Sequence, residues 1–412
     1  MDRTPFFSQE VHSVQETGLP QPLLFDLLLK HAFFEGSISL STLSERMKLA
    51  PATIDSLYRH LQTEQLCETR GMLGEDYAIA LTSRGRNMAE VALKKSQYAG
   101  PAPVPLAQYK RAILKQAVQV HETAESLKSA LGDLVLSDDV IAEIGTALVT
   151  GGSIFLYGPT GNGKTSIAER LQRVFNDLVY IPYAVEVSGH IVTVFDPLVH
   201  RPEKEQPPAM DRRWMLCRRP MVKAGGEMRA EMLEPQVDES TRICVGPLQM
   251  KANNGILLID DFGRQRISPH ELLNRWIVPL DRRTDVLSLS TGVSFEIPFE
   301  LLVVFATNLP LSDLAEEAFM RRVRNKIKID APSDEIFRKL LRRVCHDKSL
   351  ECTPETEDYL SQQCAKNAPS GLRACFPEDI TTLVCGIATF ERRAPKLGKD
   401  EIDRALRVYF VH

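Results

Sequence analysis

Residues 158–165 read GPTGNGKT and match the pattern GxxxxGK[ST]. They follow a short apolar run at residues 153–157 and precede a helix-compatible segment at residues 166–171. The order of apolar strand, glycine-rich turn and helix is typical of a phosphate-binding P-loop. This stretch therefore predicts an α/β domain built around a nucleotide site.

The glycines of this stretch let successive backbone N–H groups face one point, and the helix that follows adds its partial positive charge there. Lys164 is then expected to reach the β- and γ-phosphates, and Thr165 to place its hydroxyl on Mg²⁺. The alternative is a glycine-rich turn that binds nothing. The predicted nucleotide-binding residues are Gly158, Pro159, Thr160, Gly161, Asn162, Gly163, Lys164, Thr165 and Ser166.

Composition is that of an ordinary soluble globular protein, with 412 residues, 43% hydrophobic and 25% charged. This length predicts two or three domains. No apolar run approaches the ~20 residues that span a bilayer, and the N-terminus has no signal-peptide pattern. The eight cysteines include no CxxC pair, which favours a reducing, cytoplasmic location. Five of them lie near the C-terminus in no zinc-binding spacing, so we expect core packing.

The N-terminal region carries the pattern of a small helical module. After a loose tail at residues 1–20, the pattern predicts helices near residues 24–35, 43–49 and 51–61, strands near 66–69 and 77–81, and a helix near 84–95. Thr42 and Glu45 form a capping-box pattern for the second helix. Three helices followed by a β-hairpin resemble a winged-helix module, which we place at residues 21–98.

The charges of this module do not favour nucleic acid. Up to Pro105 there are ten Lys/Arg and twelve Asp/Glu residues, whereas a DNA-binding module normally presents a basic face. The net charge of −4 for the whole chain gives no general attraction either. We therefore favour a protein partner and keep DNA as the alternative, which salt-dependent retention of DNA would revive. A Pro-rich linker and a charged connecting helix, expected at about residues 108–131, follow within residues 99–133.

A second set of candidate residues follows the P-loop within a predicted nucleotide-binding domain at residues 134–330. Residues 178–183 are a second strand candidate, and residues 184–245 form a long irregular stretch that is expected to hold inserted hairpins. At residues 255–261, GILLIDD, four apolar residues run into two carboxylates, as in a buried parallel strand that delivers acids to a phosphate site. Asp260 is expected to hold Mg²⁺ and Asp261 to orient or deprotonate the attacking water. The alternative is a pair of solvated loop acids. Residues 261–263 also read DFG, but no kinase-type catalytic loop precedes them.

Another buried strand, residues 301–306, ends at Asn308 and is expected beside the Asp260 strand. Asn308 is then placed to contact the γ-phosphate or the attacking water; an Asn before Leu-Pro also suits a turn. The basic run that contains Arg321 and Arg322 precedes an apolar segment at residues 327–329. It is interpreted either as a solvated face or as the source of an arginine that acts in a neighbouring subunit.

Taken together, these motifs resemble AAA+ ATPases. The P-loop, the Asp-Asp strand, the Asn308 strand and the arginines before the last strand occur in that family's order. The helices expected after residue 332, near residues 334–345, 355–366, 378–392 and 400–409, resemble its helical lid, residues 331–412. Arg373 matches its sensor 2 arginine. A helix at residues 272–283 and a hairpin at 285–297 resemble the pre-sensor-1 hairpin group, notably bacterial MoxR-type ATPases.

The resemblance covers residues 134–412 and implies an α/β fold, with a parallel sheet between helices, that hydrolyses ATP with Mg²⁺. It further implies a ring, usually hexameric, in which Arg322, with Arg321 as its partner or substitute, completes a neighbour's site. Hydrolysis would then drive remodelling of a protein partner. A pore loop, if present, is expected at residues 183–200.

One departure from the family pattern is Asp261, where the family usually has Glu. An aspartate is one methylene shorter, which keeps a non-hydrolysing nucleotide switch or scaffold open as an alternative. A DNA-directed motor or transcription regulator that uses its winged helix is the other alternative.

Overall fold

The N-terminal module packs its helices around a three-stranded antiparallel sheet. The computed structural model describes residues 8–73, 76–118, 124–208, 210–310, 314, 323–368 and 371–410. Pro51 opens the third helix, as predicted. The second helix begins earlier than expected, because Ser39 rather than Thr42 is its N-cap and accepts a hydrogen bond from the Thr42 amide. The elements are α1 (Gln21–Glu35), β1 (Ser37–Ser39), α2 (Leu40–Met47), α3 (Pro51–Thr63), β2 (Cys67–Leu73), β3 (Asp76–Leu81) and α4 (Ser83–Lys95), with sheet order β1-β3-β2.

The prediction of a loose tail at residues 1–20 is wrong for its described part, residues 8–20. Val11, Val14 and Leu19 are buried in the core of the N-terminal module. The amide of Asp211, about 200 positions away in sequence, donates to the Ser8 carbonyl at 2.8 Å. This segment is held in place because its apolar residues pack into the core of the module. The sequence of the segment has no helical periodicity, so it did not indicate this packing.

The linker at residues 99–133 is docked rather than extended as a free spacer. Ala102 and Val104 are fully buried. Residues Val104–Pro105 form the short strand β4, and the chain continues into α5 (Leu106–Lys115) and, after residues outside the description, α6 (Ala124–Ala130). The single connecting helix expected from residue 108 to 131 is therefore at least interrupted, since α5 ends at Lys115.

A five-stranded parallel sheet forms the centre of the nucleotide-binding domain. Its order is β10-β13-β16-β5-β17, with every neighbouring pair parallel. The elements of this domain are α7 (Asp138–Thr150), β5 (Ser153–Tyr157), α8 (Lys164–Arg170), β6 (Leu178–Pro182), β7 (Ala184–Val187), β8 (His190–Thr193), β9 (Trp214–Arg218), β10 (Met221–Ala224), β11 (Gln236–Val237), β12 (Cys244–Val245), α9 (Leu248–Ala252), β13 (Ile256–Ile259), α10 (Pro269–Arg282), β14 (Thr284–Ser288), β15 (Ser294–Pro298), β16 (Leu302–Thr307) and β17 (Asn325–Lys328).

Helices cover both faces of this sheet because its strands are apolar on both sides. On β13, Ile256 and Leu258 pack with α7 and α8, whereas Leu257 and Ile259 pack with α10 around Trp276. The same alternation occurs on β5 and β16. The adjacency of the Asp260 and Asn308 strands, β13 and β16, is confirmed.

The second strand candidate, residues 178–183, lies outside the parallel sheet. It forms β6, which pairs antiparallel with β9 in a separate two-stranded sheet. The strand beside β13 is instead β10, residues Met221–Ala224. The sequence predicts only an irregular insertion at residues 184–245, because a four-residue strand among Arg and Pro residues gives almost no periodic signal.

The remainder of the 184–245 segment builds a second five-stranded sheet, in the order β11-β12-β8-β7-β4. The hairpin expected within this segment is present as the β7–β8 pair. Because β4 comes from the linker, this sheet joins the insertion to the chain that leads from the N-terminal module. Ala184 and Ile243 also pack against the core of that module.

Four helices form a C-terminal unit around its own core, which includes Phe337, Leu341 and Phe376. They are α11 (Asp334–Asp347), α12 (Pro354–Asn367), α13 (Phe376–Phe390) and α14 (Lys399–Tyr409). Each begins and ends within a few residues of its predicted bounds. The predicted fold class is confirmed: α/β, with a parallel sheet between helices and a helical C-terminal unit. Within the described part of the chain, no helix has the length and apolar character to cross a bilayer.

A fully buried ion pair holds the N-terminal segment, the linker and the insertion together. Asp211 and Arg213 are both 0% exposed and lie 2.8 Å apart. Arg213 also donates through Nη1 to the carbonyls of Thr17, at 3.0 Å, and Pro103, at 3.1 Å. One guanidinium therefore satisfies groups from three separate stretches of chain.

Replacing Asp211 with Ala is expected to lower the free energy of unfolding by about 3–5 kcal/mol, because it leaves the charge of Arg213 buried and unpaired. The matched control is Arg218→Ala, which removes an exposed pair with Glu203 and should cost less than about 1 kcal/mol. Chemical denaturation followed by tryptophan fluorescence measures both. Equal losses in the two variants would contradict the role given to the buried pair.

Candidate nucleotide-binding site

The carboxyl ends of three neighbouring parallel strands bring the predicted site residues to one edge of the sheet. The P-loop follows β5, Asp260 and Asp261 follow β13, and Asn308 follows β16. Because β16 lies between β5 and β13, its terminal Asn308 lies between the P-loop and the two carboxylates in the order of the sheet. This edge is where ligands bind in open α/β sheets.

Thr165 and Asp260 are in direct contact. The Thr165 hydroxyl donates to Oδ1 of Asp260 at 2.8 Å, which joins the first turn of α8 to the end of β13. The Asp260 side chain is 15% exposed. A hydroxyl and a carboxylate oxygen at one point form a suitable partial ligand set for a small hard cation.

Lys164 is buried beside this pair. Its ammonium donates to the carbonyls of Gly158, at 2.9 Å, and Pro159, at 2.8 Å. Burial lowers the pKa of Lys164, and the negative charges of Asp261 and Asp260 oppose that effect. Lys164 is therefore a buried cation at this edge of the sheet, and carbonyls of its own loop hold its ammonium.

Asp261 is exposed and lies in an unusual backbone conformation, with φ of 50°. Its neighbours fix that conformation. The amide of Phe262 donates to the Ala306 carbonyl of β16 at 2.7 Å, and the Gln265 amide group donates to the carbonyls of Asp260 and Asp261 at 2.7 and 3.1 Å. A non-glycine residue held in the left-handed region is a strained position of the kind that clusters at functional sites.

Asn308 contacts the P-loop directly. Its Nδ2 donates to the Thr160 hydroxyl at 2.9 Å. Its Oδ1 is buried without a hydrogen-bond partner among the described residues. The amide of Asn308 thus retains an acceptor next to the loop, whereas a simple turn residue would direct it to solvent or to its own backbone.

The C-terminal unit docks on the P-loop through the segment before α13. The amide of Cys375 donates to the Gly161 carbonyl at 2.9 Å, and the amide of Ala374 donates to Oδ1 of Asn162 at 3.2 Å. The Arg373 guanidinium lies over the Phe376 ring, 5.8 Å from its centroid. The structure therefore places Arg373 beside the P-loop of its own chain.

Ser166 and Asn162 are the remaining polar residues of the predicted P-loop site. The Ser166 carbonyl accepts from Nη1 of Arg170 at 3.0 Å, within α8. Asn162 is buried, and its Nδ2 has no hydrogen-bond partner among the described residues. This atom is a donor at the loop that a phosphate oxygen would satisfy, whereas Oδ1 of Asn308 is an acceptor that the O–H of a water would satisfy.

Sequence reasoning missed two polar residues of the site. Lys223, on β10, forms ion pairs with Oδ2 of Asp260 at 3.1 Å and with Oε1 of Glu169 at 3.0 Å. Gln265 pins the loop after β13, as described above. Lys223 was missed because β10 was not recognised as a strand of the central sheet. Gln265 gave no signal, since a glutamine in a polar loop has no distinctive pattern.

The remaining predictions concern two arginines and a pore loop. Arg321 and Arg322 fall outside the described residues. The region suggested for a pore loop, residues 183–200, belongs to the insertion, where the β7–β8 hairpin is followed by a turn that exposes Leu198 almost completely, at 93%. The structure does not bring that region to the P-loop edge.

The residues present fit a Mg²⁺–nucleotide complex rather than a metal held by protein alone. Among the described residues there is no group of three or more His, Cys, Asp or Glu that could hold a metal ion. Thr165 and Asp260 supply two oxygen ligands at most, and Mg²⁺ in phosphate sites typically takes the rest from phosphates and water.

The parallel sheet, the P-loop sequence after β5 and the docked helical unit define an α/β fold with a candidate nucleotide site at one edge of the sheet. A family model described as "Domain of unknown function (DUF8689)" matches residues 333–408, the region of the C-terminal helices. No curated protein matches the sequence.

Among solved structures, two variants of RuvB from Thermotoga maritima are similar to this chain. For one of them the TM-score is 0.37 and the sequence identity 12%, and the match covers 69% of this chain and 70% of the RuvB chain. The other has a TM-score of 0.36 and 13% identity, and covers 73% and 72%. Likeness at this level is too low to assign a family or an activity to the chain.

The docking of the C-terminal unit depends on the absence of a side chain at Gly161. A Cβ there would lie 2.8 Å from Sγ of Cys375 and 3.3 Å from Cδ of Arg373. Gly163 is the matched control: it has nearly the same φ, 82° against 81°, but a Cβ there would meet nothing within 4 Å.

Gly161→Ala is therefore expected to undock the segment, and Gly163→Ala to leave it in place. Each lost hydrogen bond is worth about 1 kcal/mol, so hydrogen exchange of the Ala374 and Cys375 amides should accelerate about tenfold or more in Gly161→Ala. The measurement is made without nucleotide, so that phosphate contacts do not enter. Equal acceleration in both variants would show that backbone strain, rather than the contact with Cys375, sets the exchange rate.

Proposed function

We propose that this protein is a Mg²⁺-dependent ATPase. The observation that carries the proposal is the 2.8 Å contact between Thr165 and Asp260 beside the buried Lys164, because it joins the two halves of a phosphate and metal site. Asp261 follows directly on the same loop. Two oxygens for the cation, a lysine for the phosphates and an acid for water are the parts that phosphoryl transfer to water requires.

Each residue has a distinct task in this proposal. The amides of the loop and Lys164 bind the phosphates, and Thr165 and Asp260 hold the cation. Mg²⁺, when bound, supplies neutralisation of the charge that develops on the phosphates. Asp261 orients or deprotonates the attacking water, and Asn308 contributes a hydrogen bond from the end of β16. Arg373 couples the position of the C-terminal unit to the γ-phosphate in its own chain.

The proposed site is completed by a second copy of the chain. Arg322, with Arg321 as its partner or substitute, is proposed to reach the nucleotide of a neighbour in a ring of six, as in AAA+ ATPases. The support comes from position in the sequence: these residues precede β17, and β17 pairs with the P-loop strand β5 at the far edge of the sheet. An arginine supplied in this way contributes ~10³–10⁵ in rate.

We assign the chain to the pre-sensor-1 hairpin group and its bacterial MoxR-type members within this proposal. The helix α10 is followed by the hairpin β14–β15, which leads into β16, the strand that ends at Asn308. This arrangement supports the assignment. A cytoplasmic location is proposed on the reduced cysteines: all eight are free thiols, and most are buried.

The N-terminal module is proposed to bind a protein that ATP hydrolysis remodels. Several of its basic side chains are paired with nearby acids, as in the pairs Arg46–Glu35 and Arg59–Asp55. The pair Arg59–Asp55 lies on α3, the helix that would read DNA in a winged-helix module. A surface whose cations are already paired has little to offer to phosphates, so a DNA-directed function is disfavoured.

The catalytic assignments are tested by a pair of substitutions. Lys164→Ala is expected to abolish ATP binding measured by calorimetry, because Lys164 contributes phosphate contacts. Asp261→Asn should bind ATP as the parent does and lose turnover by about 10²-fold or more, as removal of a water-positioning base does. Pull-down with Asp261→Asn in ATP should also retain the protein partner.

Normal ATP affinity in Lys164→Ala would refute the P-loop assignment. Turnover of Asp261→Asn at the parent rate would move the base to another residue. If the parent binds ATP and does not hydrolyse it, the protein is the nucleotide switch or scaffold instead. Asp260→Asn serves as the companion variant, with weakened dependence of turnover on Mg²⁺.

The shared site is tested by mixing two inactive proteins, Arg322→Ala and Lys164→Ala. Mixed rings contain some interfaces with an intact P-loop on one side and an intact arginine on the other, so partial activity is expected to return. Specific activity of the parent should rise with protein concentration as rings assemble. No recovery from variants shown to assemble together, with activity independent of concentration, would leave Arg321 and Arg322 as a solvated basic face.

A further inference from the structure

Lys223 lies against the carboxylate that the proposed function assigns to the metal. It is the third residue of β10, at the edge of the central sheet, in register with Leu258 of β13. Its ammonium is 3.1 Å from Oδ2 of Asp260 and 3.0 Å from Oε1 of Glu169 on α8. The lysine thus bridges the metal-site carboxylate and a second acid just outside the site.

Both oxygens of the Asp260 side chain are engaged by the protein itself. Oδ1 accepts from the Thr165 hydroxyl at 2.8 Å and from the Asp261 amide at 3.1 Å, while Oδ2 faces Lys223. A carboxylate that already neutralises an ammonium attracts a second cation less strongly. In addition, the two cations that share it repel one another.

Glu169 provides a second carboxylate that keeps the ammonium of Lys223 paired when Lys223 is not in contact with Asp260. The Lys223 and Glu169 side chains are each about half exposed, at 46% and 45%, whereas Asp260 is only 15% exposed. If Lys223 leaves Asp260, its charge stays paired with Glu169 and open to water. Release therefore costs little, unlike the release of a fully buried cation.

We propose that Lys223 competes with the divalent cation for Asp260, so that the site holds the cation only together with nucleotide phosphates. This inference rests on the proposed function and adds a rule for how the site is loaded. Free Mg²⁺ must displace the ammonium with the two protein oxygens alone. Phosphates add ligands and negative charge, which offset the repulsion from Lys223.

A purely structural role would make a different prediction. The contacts of Lys223 with Asp260 and Glu169 also tie β10 and β13 to α8. Were this tie the purpose, removal of Lys223 would lower the stability of the protein and leave its affinity for a metal unchanged. Metal affinity without nucleotide therefore separates competition from a structural tie.

The experiment titrates Mn²⁺, as a paramagnetic probe for Mg²⁺, against the full-length protein without nucleotide, with free Mn²⁺ followed by electron paramagnetic resonance. Lys223→Met is expected to bind Mn²⁺ at least about tenfold more tightly than the parent, because a unit charge near the cation is removed. Lys223→Gln provides a second neutral variant, and Lys223→Arg should behave as the parent does. Glu169→Gln should not tighten binding.

Two controls locate the effect. Lys339 is an ion-paired lysine of similar exposure, 55%, bonded to Glu335 in the C-terminal helices, so Lys339→Met removes the same charge elsewhere. It is expected to bind Mn²⁺ as the parent does. The double variant Lys223→Met/Asp260→Asn should lose the gain, since Asp260 is the ligand. Circular dichroism confirms that each variant is folded.

Unchanged Mn²⁺ affinity in folded Lys223→Met and Lys223→Gln would overturn the inference. An equal gain in Lys339→Met, or a gain that survives Asp260→Asn, would overturn it as well, because the first indicates diffuse charge and the second another metal site. The proposed function fails on separate evidence, namely absence of Mg²⁺–ATP binding or turnover in the parent. The two failures are therefore distinguishable.

Discussion

The hydrogen bond between Thr165 and Asp260 is the contact on which the arrangement of the site depends. It requires that β5 and β13, separated by β16, end at the same level, and that α8 begin where β13 stops. The alternating burial of the three strands fixes that level, because one face packs on α7 and α8 and the other on α10. Packing of ordinary apolar residues thus sets a distance between two polar atoms.

Around this contact, most polar groups are held by neighbours rather than by their own loop. Asn308 reaches Thr160, Cys375 and Ala374 reach Gly161 and Asn162, and Gln265 secures the backbone of Asp261. Apart from the contact of Gln265 with Asp261, these contacts join residues far apart in sequence. The site is accordingly preorganised by the whole domain, which is the condition for electrostatic stabilisation of a transition state.

The sequence was sufficient for the elements with a strong local signal. The P-loop, the apolar strand before Asp260, the strand before Asn308 and the amphipathic helices of the C-terminal unit were all located, because apolar periodicity and glycine placement act over a few residues. The strand β10 was not recognised. This strand has only four residues, Met221–Ala224, and depends on β13 for its hydrogen bonds. It therefore forms through a tertiary contact that leaves no local pattern in the sequence. The contact of Lys223 with Asp260 was hidden with it.

The same distinction explains the error at residues 8–20. Their burial comes from contacts with the core of the N-terminal module, the linker and the insertion, including the bond from Asp211 to Ser8, and no local pattern encodes such contacts. Boundaries drawn from composition alone therefore divided the chain at points where the structure is continuous.

The buried Arg213 has a consequence for how this chain is put together in evolution. Because one guanidinium holds carbonyls from the N-terminal segment and from the linker, as well as the carboxylate of Asp211, the front of the chain is not an interchangeable attachment. An unrelated N-terminal module in this place would remove hydrogen-bond acceptors from the buried guanidinium of Arg213 in the insertion. Exchange of the N-terminal module for another would therefore require the linker, the insertion and the module to change together.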